Sequence, residues 1–208
     1  MFGRQAHLTF FNAYDLPVVN ITAECRCRDF VTAAKARSLP PFSVLLYSIA
    51  QTSLALAPFR HRLLEGRTHC VDELQVSYPV IGADGNLDFS PFAFDQDFEE
   101  FVSRYLADRS EARRARHLRL VPMHDRNYLF VTCLPWLAFT AIQHPIARFA
   151  DCSIPNIAAG RFRPAEGDVV FPLAVQAHHG LVDGWHIFQF ISMVADSLNS
   201  FVEDVSHA

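Results

Sequence analysis

The sequence lacks the features that mark several large classes of protein. Its 208 residues carry no excess of basic side chains, since 18 Lys and Arg stand against 22 Asp and Glu, which gives a formal net charge of -4 and a pI near 6.2. Nucleic acid and anionic membrane surfaces are therefore not the expected partners. The N-terminus has no basic start followed by an apolar run and a cleavage site, so we expect no secretory signal.

Long hydrophobic runs and paired cysteines are missing too. The most apolar stretch, residues 41–59, predicts a buried helix rather than a membrane span, because hydroxyl and amide side chains interrupt it. The interrupting residues are Ser43, Tyr47, Ser48, Gln51, Thr52 and Ser53. The five cysteines, scattered without a CxxC pair, are Cys25, Cys27, Cys70, Cys133 and Cys152. This spacing favours reduced thiols in a cytoplasmic protein over a disulfide framework.

The composition is otherwise that of an ordinary globular chain, with two unusual counts. Half of the residues are apolar and 19% are charged, but there are 19 Phe and 10 His. The phenylalanines predict a large aromatic core or an apolar pocket, and the histidines will change their charge between pH 5 and 8. No repeat, low-complexity tract or linker divides the sequence, so we expect a single domain over residues 1–208.

The hydrophobic pattern predicts strands and helices that do not alternate strictly. Strands are expected over residues 17–26, 73–81, 128–132, 154–162 and 169–178, and helices over 28–37, 41–59, 97–117 and 185–201. Asp84-Gly85 is typical of a hairpin turn, here between the second strand and residues 87–89. Such a mixture predicts an α+β fold, a two-layer sandwich of helices on a mixed β-sheet.

The helix over residues 97–117 has one apolar face and a basic end. The residues expected on the apolar face are Phe98, Phe101, Val102, Tyr105 and Leu106. The basic residues near its end are Arg113, Arg114, Arg116 and Arg119. We interpret them as a solvated helix end, with an anion-binding patch as the alternative.

The segment that carries chemistry is residues 176–186, QAHHGLVDGWH. A buried strand ends there in two adjacent histidines, and glycines flank the Leu-Val-Asp turn that follows, which suggests backbone conformations that side chains resist. Three interpretations compete: a structural histidine pair, a metal site of His179, Asp183 and His186, and a catalytic histidine held by an aspartate. Gly180 and Gly184 argue against a metal-binding helix face, and no HExxH motif or Cys cluster is present, so we expect no metal.

This segment resembles the HHxxxDG signature of coenzyme A-dependent acyltransferases, and it is most similar to the chloramphenicol acetyltransferase family. Four other stretches support the resemblance, which covers nearly the whole chain. They are NYLFVTCLPWLAFTAI with its Pro-Trp-x-x-Phe pattern, IPNIAAGRF, the N-terminal Arg4-x-x-His7-Leu8-x-x-Phe11, and Ala57-Pro58-Phe59-Arg60 in the place of a Pro-Glu-Phe-Arg segment.

The resemblance implies an enzyme that transfers acetyl from acetyl-CoA to a hydroxyl of chloramphenicol or a similar small molecule. His179 would be the general base, with no acyl-enzyme and no bound cofactor. Asp183 would be structural, joined to Arg4 by two bonds, with Gly184 completing the motif loop. Phe11 would contact the acceptor. The family also implies a homotrimer with active sites between subunits, and a leading strand that this sequence is expected to lack.

Two departures from the family concern the oxyanion of the tetrahedral intermediate. Ala141 stands where the resemblance places a serine hydroxyl on the Pro-Trp-x-x-Phe strand, and Ala158 stands where it places a threonine. Thr140 is not expected to substitute, because neighbouring side chains of a strand face opposite ways. Phe11 also replaces the usual tyrosine. The alternatives are therefore an acyltransferase for another acceptor or thioester, and a weakly active or non-catalytic binder of small molecules.

Overall fold

We describe the protein from a computed structural model, which describes residues 3–115, 118–119, 127–146 and 152–207. The helices are α1 (Gln5–Phe11), α2 (Phe30–Ala36), α3 (Pro41–Ala55), α4 (Ala57–Arg60), α5 (Phe98–Arg114) and α6 (Gly184–His207). The strands are β1 (Val18–Arg28), β2 (His61–Leu64), β3 (Arg67–Cys70), β4 (Gln75–Ile81), β5 (Leu87–Ala93), β6 (Tyr128–Cys133), β7 (Asn156–Ala159), β8 (Arg163–Ala165) and β9 (Asp168–His178).

The main sheet is mixed, as the sequence predicts. Its strand order is β1-β9-β7-β6-β4-β5, with β8 paired to the start of β9. The pairs β4–β6 and β6–β7 are parallel, and the other neighbours are antiparallel. Strand β9 lies inside the sheet and is buried from Val169 to His178. Its nearly unbroken apolar sequence follows from this position, because both of its faces are covered.

Helices cover one face of the sheet and enclose the core. Helix α6 packs on β1, α2 and α3, and α5 packs on β4, β5 and α3. Alternate residues of β9 point into this layer, among them Phe171, Leu173 and Val175, and all three are completely buried. Aromatic side chains fill much of the core, as the phenylalanine count predicts. The α+β sandwich is therefore confirmed.

Several local expectations were wrong. Leu106 of α5 is 45% exposed, so the apolar face of that helix is narrower than its sequence pattern indicates. Helix α1 and the hairpin β2–β3 were not foreseen, because both are short and carry many polar residues. The strand expected over 154–162 is the four-residue β7, and residues 163–165 form β8, which turns through Glu166 and Gly167 into β9.

The opposite face of the sheet is covered partly by an irregular segment. Strand β6 ends at Cys133, and residues 134–146 run on without helix or strand. Two side chains of paired sheet residues hold this segment: Asn20 donates to the carbonyl of Ile142, and Gln176 bonds both the amide and the carbonyl of His144. Over the described ranges, the helices are all too short or too polar to cross a bilayer.

Candidate active site

His179 lies immediately after β9, where the chain leaves the buried sheet. Its backbone N–H donates to the carbonyl of Pro17 at 2.8 Å, just ahead of β1. The amides of Leu181 and Val182 then turn back to the carbonyl of His178, and both of those side chains are buried. The imidazole of His179 is half-buried, held by a rigid backbone yet still partly open.

The hydrogen bonding of the His179 ring determines which nitrogen is available for chemistry. Its Nδ1 lies 3.1 Å from the carbonyl oxygen of Val182. A carbonyl can only accept a hydrogen bond, so Nδ1 of the neutral ring carries the proton. Nε2 then has a free lone pair, as a general base requires.

Helix α1 places an aromatic ring directly on this imidazole. Phe11 stacks on His179 with ring centroids 4.0 Å apart and planes inclined by 23°. Phe10 and Tyr14 extend the aromatic cluster, and both are more than half exposed. Phe11, expected from the resemblance to contact an acceptor, thus lies directly against the ring of His179.

His178, the other member of the pair, is buried and uses both of its nitrogens within the fold. Its Nδ1 accepts from the amide of Gly180 at 3.1 Å, so its Nε2 donates to the side-chain oxygen of Asn12 at 2.9 Å. Burial, with a smaller contribution from the neighbouring His179, lowers the pKa of His178 to about 4. His178 is therefore neutral at physiological pH and joins the end of α1 to the motif loop.

Asp183 joins the start of α6 to the start of α1. Its Oδ1 accepts from the backbone amides of Trp185 and His186, so it caps α6. Its Oδ2 accepts from Arg4 at 2.8 Å, but the two-bond pairing was wrong, because the Nε of Arg4 donates instead to the carbonyl of Gly180. Burial opposes ionisation of Asp183, yet these hydrogen bonds, together with the charges of His186 and Arg4, lower its pKa.

The two glycines of the motif do not have the conformations that the sequence suggests. Neither has a positive φ. At Gly180 the reason for glycine is space, since an added Cβ would lie 2.7 Å from the Cα of Leu8 in α1. At Gly184 the nearest atom to such a Cβ is Cδ1 of Ile21, at an ordinary 3.7 Å. Gly180 thus allows α1 to approach the loop, whereas Gly184 meets no such restriction.

Two residues of the alternative metal site, His186 and Asp183, contact each other directly. Nδ1 of His186 lies 2.9 Å from Oδ1 of Asp183. Burial lowers the pKa of His186, although the adjacent carboxylate partly offsets this. In the part of the chain that the structure describes, no group of His, Cys, Asp and Glu is arranged to hold a metal ion.

The two alanines assigned to the oxyanion region lie in different surroundings. Ala158 is buried on β7, on the face of the sheet away from the helices. Ala141 is exposed and lies in the irregular segment, so the strand expected there, and the argument that Thr140 faces the other way, were wrong. Sequence reasoning missed Thr132. It pairs with Ala158 across β6 and β7, so its hydroxyl is on the same face of the sheet, and it is half-buried.

This hydroxyl is far from the imidazole of the same chain. Thr132 lies level with Ala158 and, through it, with Ala174 of β9. His178 follows four residues later, a separation of about 13 Å at roughly 3.3 Å per residue. Thr132 and His179 of one chain are therefore too far apart to contact one reacting carbonyl group.

Other possible nucleophiles and cavities lie away from His179. Burial raises the pKa of Cys133 to about 12, which leaves the thiol protonated and unreactive at neutral pH. Five cavities within the described ranges do not include His179 in their lining. The ring of His179 instead stacks on Phe11, a member of the aromatic cluster around α1.

Comparison with solved structures identifies the class of this fold. A chloramphenicol acetyltransferase structure superposes with a TM-score of 0.84 at 25% identity and covers 95% of this chain and 96% of its own. A dihydrolipoamide acetyltransferase of Azotobacter vinelandii shares the fold, with a TM-score of 0.66 at 15% identity over 96% of this chain and 88% of its own. The fold is thus that of an acyltransferase.

Comparison of sequences identifies the family. The model of the chloramphenicol acetyltransferase family matches residues 1–195, so the chain belongs to that family. Named relatives include a chloramphenicol acetyltransferase of Clostridium perfringens, 25% identical over 82% of this chain and 83% of the relative. Chloramphenicol acetyltransferase 3 of Escherichia coli is 24% identical over 76% of this chain and 75% of the relative. The protein is an enzyme of the acyltransferase class.

Proposed function

We propose that this cytoplasmic protein is a single-domain acetyltransferase, spanning residues 1–208, that transfers acetyl from acetyl-CoA to a hydroxyl of chloramphenicol or a similar small molecule. One observation carries the proposal: Nδ1 of His179 is tied to the carbonyl of Val182, so Nε2 has a free lone pair. Family membership supplies the two substrates.

In the reaction, Nε2 of His179 removes the proton of the acceptor hydroxyl as its oxygen attacks the thioester carbonyl. The carbonyl oxygen becomes an oxyanion in the tetrahedral intermediate. The carbon–sulfur bond then breaks, and the leaving CoA thiolate takes the proton from His179. The bond from Nδ1 to Val182 keeps the ring oriented while its charge changes, and no acyl-enzyme forms.

A hydroxyl for the oxyanion is assigned to Thr132 of a second copy of the chain. The separation along β9 keeps the Thr132 of the same chain away from His179, whereas an active site between subunits can bring together residues that are far apart within one chain. Two groups of exposed apolar side chains support a homotrimer with such sites. Phe10, Tyr14 and Leu16 lie near His179, and Trp136 and Leu137 lie beyond the end of β6.

The second candidate is an acyltransferase for another acceptor or another acyl thioester. The observation that favours it is the ring on His179: Phe11 has no hydroxyl to orient a polar acceptor. The remaining alternative is a weakly active or non-catalytic binder, and Ala158 favours it because alanine has no hydroxyl for the oxyanion. Thr132 argues against it, because its hydroxyl lies on the same face of the sheet as Ala158.

The test is release of free thiol from acetyl-CoA with and without chloramphenicol. The native protein is expected to release thiol only when chloramphenicol is present. His179→Ala should lower the rate by about 10²–10⁴-fold, the usual contribution of a general base. His69→Ala is the matched control, because His69 is an exposed histidine on the separate β2–β3 hairpin.

The outcomes separate the alternatives. Thiol release that needs chloramphenicol and is lost in His179→Ala, but not in His69→Ala, supports the whole proposal. Release with other hydroxyl compounds alone supports the second candidate. Folded native protein that binds chloramphenicol without releasing thiol would be the non-catalytic binder, and the acetyltransferase proposal would be wrong.

A further inference from the structure

A cavity with two carboxylates in its wall lies at the edge of the sheet that is far from His179. It has a volume of about 270 Å³ and lies between the β4–β5 hairpin and the C-terminal end of α5. Strand β5 is four strands away from β9, about 19 Å at roughly 4.8 Å per strand, so this cavity is separate from the base. We call it the β4–β5 cavity, and its wall includes Gly82, Asp84, Asn86, Asp88 and Ala115.

Three oxygen atoms surround the space that Gly82 leaves open. A Cβ built on Gly82 would lie 3.2 Å from Oδ1 of Asp84 and 3.5 Å from the carbonyl oxygen of Asn86. It would lie 3.8 Å from the carbonyl oxygen of Ala115. Oδ1 of Asp84 accepts from the amide of Asn86 at 2.9 Å, and the carbonyl of Asn86 accepts from the amide of Gly82 at 2.8 Å. Each of these two oxygens has a second lone pair that could face a ligand.

The electrostatics of this end of α5 favour a positive ligand. Ala115 is the C-cap of the helix, where the negative ends of the peptide dipoles lie. Hydrogen bonds from the side chain and the backbone of Asn86 lower the pKa of Asp84, so that carboxylate is ionised at neutral pH. A carboxylate beside a helix C-terminus is unfavourable unless a cation lies near both.

Asp88 adds a buried carboxylate, one oxygen of which has no partner. Its residue is only 5% exposed. Oδ1 accepts from the amides of Phe89 at 2.8 Å and Arg119 at 2.6 Å, whereas Oδ2 is buried without a hydrogen bond. The guanidinium of Arg119 pairs with Asp108 instead. A buried carboxylate oxygen without a partner costs free energy, and a cation in the cavity would offset that cost.

We infer that the β4–β5 cavity binds Ca²⁺ through the carboxylates of Asp84 and Asp88 and the main-chain carbonyls of Asn86 and Ala115, with water as the remaining ligands. Ca²⁺ takes about six to eight oxygen ligands in a flexible geometry, and main-chain carbonyls are common among them. Mg²⁺ fits less well, because it demands a near-ideal octahedron and gives up its water reluctantly.

The sequence of the hairpin agrees with this chemistry. Asp84, Asn86 and Asp88 alternate along the chain, as the first ligands of calcium-binding loops do, although here they lie on a β-hairpin. In the described ranges, no group of three or more His, Cys, Asp and Glu side chains could hold a metal ion, so this site depends on main-chain oxygens. The sequence analysis expected no metal because it considered only motifs built from side chains.

Calorimetric titration of the whole protein with CaCl₂, at constant ionic strength, measures the binding directly. We expect a single site with a Kd of roughly 10⁻⁴–10⁻³ M, because only two carboxylates contribute charge. Asp84→Asn removes one of these charges at an exposed position and should raise the Kd by about tenfold or more. Gly82→Ala keeps both charges but places a methyl group among the three oxygens, and it should weaken binding to a similar extent.

Asp196→Asn is the matched control. Asp196 is an exposed carboxylate on α6, which packs on β1 at the opposite edge of the sheet. The same substitution there removes the same charge, and the Kd should change by less than about twofold. Circular dichroism checks that each variant is folded. Gly82 has no positive φ, so its backbone is compatible with alanine.

Thermal unfolding gives a second measurement. An ion that binds only the folded chain raises the Tm, and about 10 mM CaCl₂ should raise that of the native protein by at least about 3 °C. The Tm of Gly82→Ala should rise by less than half as much. The same concentration of MgCl₂ should also raise the native Tm by less than half as much, because of the stricter geometry of Mg²⁺.

The outcomes decide the inference without reference to acetyl transfer, since binding and unfolding are measured directly. Saturable binding of Ca²⁺ that is weakened by Asp84→Asn and Gly82→Ala, but not by Asp196→Asn, supports it. The inference is overturned if the native protein binds no Ca²⁺ up to about 10 mM, well above the expected Kd. In that case water bridges Asp88 to Nη1 of Arg119, which is also buried without a partner. It is overturned as well if MgCl₂ acts as strongly as CaCl₂, or if Asp196→Asn weakens binding as much as Asp84→Asn.

Discussion

At the scale of single residues, the two adjacent histidines are given different chemistry by their hydrogen bonds. His179 is half-buried and keeps Nε2 free, whereas His178 is buried and uses both nitrogens to hold α1 against the loop. A protonated His178 could not accept the bond from the amide of Gly180. The fold therefore depends on a neutral His178, and its stability should depend on pH.

The direction of that dependence follows from the pKa of His178, which the fold lowers from 6.5 to about 4. Above pH 6.5 the ring is neutral in both the folded and the unfolded chain, and its contribution to stability is fully present. As the pH falls from 6.5 to 4, the unfolded chain binds a proton first. This should remove up to about 3 kcal/mol from the free energy of unfolding.

Urea unfolding of the native protein and of His178→Asn between pH 7 and pH 4.5 measures this effect. The other histidines contribute equally to both proteins, so the difference between the two pH dependences belongs to His178. We expect the variant to be less stable at pH 7 and to lose less stability on acidification. Parallel curves would show that His178 does not titrate as the structure indicates.

Asp183 combines two roles that substitutions can separate. Asn is as good a helix cap as Asp but cannot form the ion pair with Arg4. Asp183→Asn should therefore lower the free energy of unfolding by less than about 1 kcal/mol, as expected for a partly exposed pair. Asp183→Ala also removes the cap of α6, so it should lower the free energy of unfolding by about 1 kcal/mol more than Asp183→Asn does. Equal thermal and urea unfolding of the two variants would exclude the capping role.

At the scale of secondary-structure elements, the approach of α1 to the motif loop forms the site. Gly180→Ala would place a methyl group 2.7 Å from the Cα of Leu8 and push α1 away, together with Phe11 and Arg4. We expect a loss of stability of about 1–3 kcal/mol, the usual cost of overpacking, and a larger proportional loss of acetyl transfer.

Gly184→Ala is the opposite case within the same motif. Its methyl group would have ordinary contacts, and alanine favours a helix by up to about 1 kcal/mol relative to glycine. This variant should be as stable as the native protein or more stable. Melting curves of the two variants test the comparison, and a Gly184→Ala protein as damaged as Gly180→Ala would contradict it.

The sequence predicts elements well where the pattern is long and repeated. The buried run of β9, the hairpin at Asp84-Gly85 and the apolar face of α6 are each specified by their own residues. Helix α1 could not be predicted in this way, because of its seven residues only Leu8 is buried, and its position depends on contacts with His178 and Gly180, which are distant in the chain. Likewise, the sequence predicted the ion pair of Asp183 with Arg4, but it placed the missing hydroxyl at Ala141, because nothing local shows that β6 ends at Cys133.

At the scale of the whole molecule, the length of β9 separates the two halves of the proposed chemistry. His179 lies just beyond one end of the strand, and Thr132 is level with Ala174, close to the middle of the strand. If one site uses His179 of one subunit and Thr132 of the next, each of two inactive variants can supply what the other lacks. Thr132→Ala should lower the rate by about 10²–10³-fold, the usual loss when one oxyanion donor is removed.

Co-expression of His179→Ala chains with Thr132→Ala chains tests the shared site. In a closed cyclic oligomer assembled at random from equal amounts, about a quarter of the interfaces join an intact His179 to an intact Thr132. Thiol release should therefore recover to about a quarter of the native rate, although each variant alone is nearly inactive. A site contained within one chain predicts no recovery, because every chain then lacks one of the two residues. Separately purified variants mixed without subunit exchange are the control, and they should stay inactive.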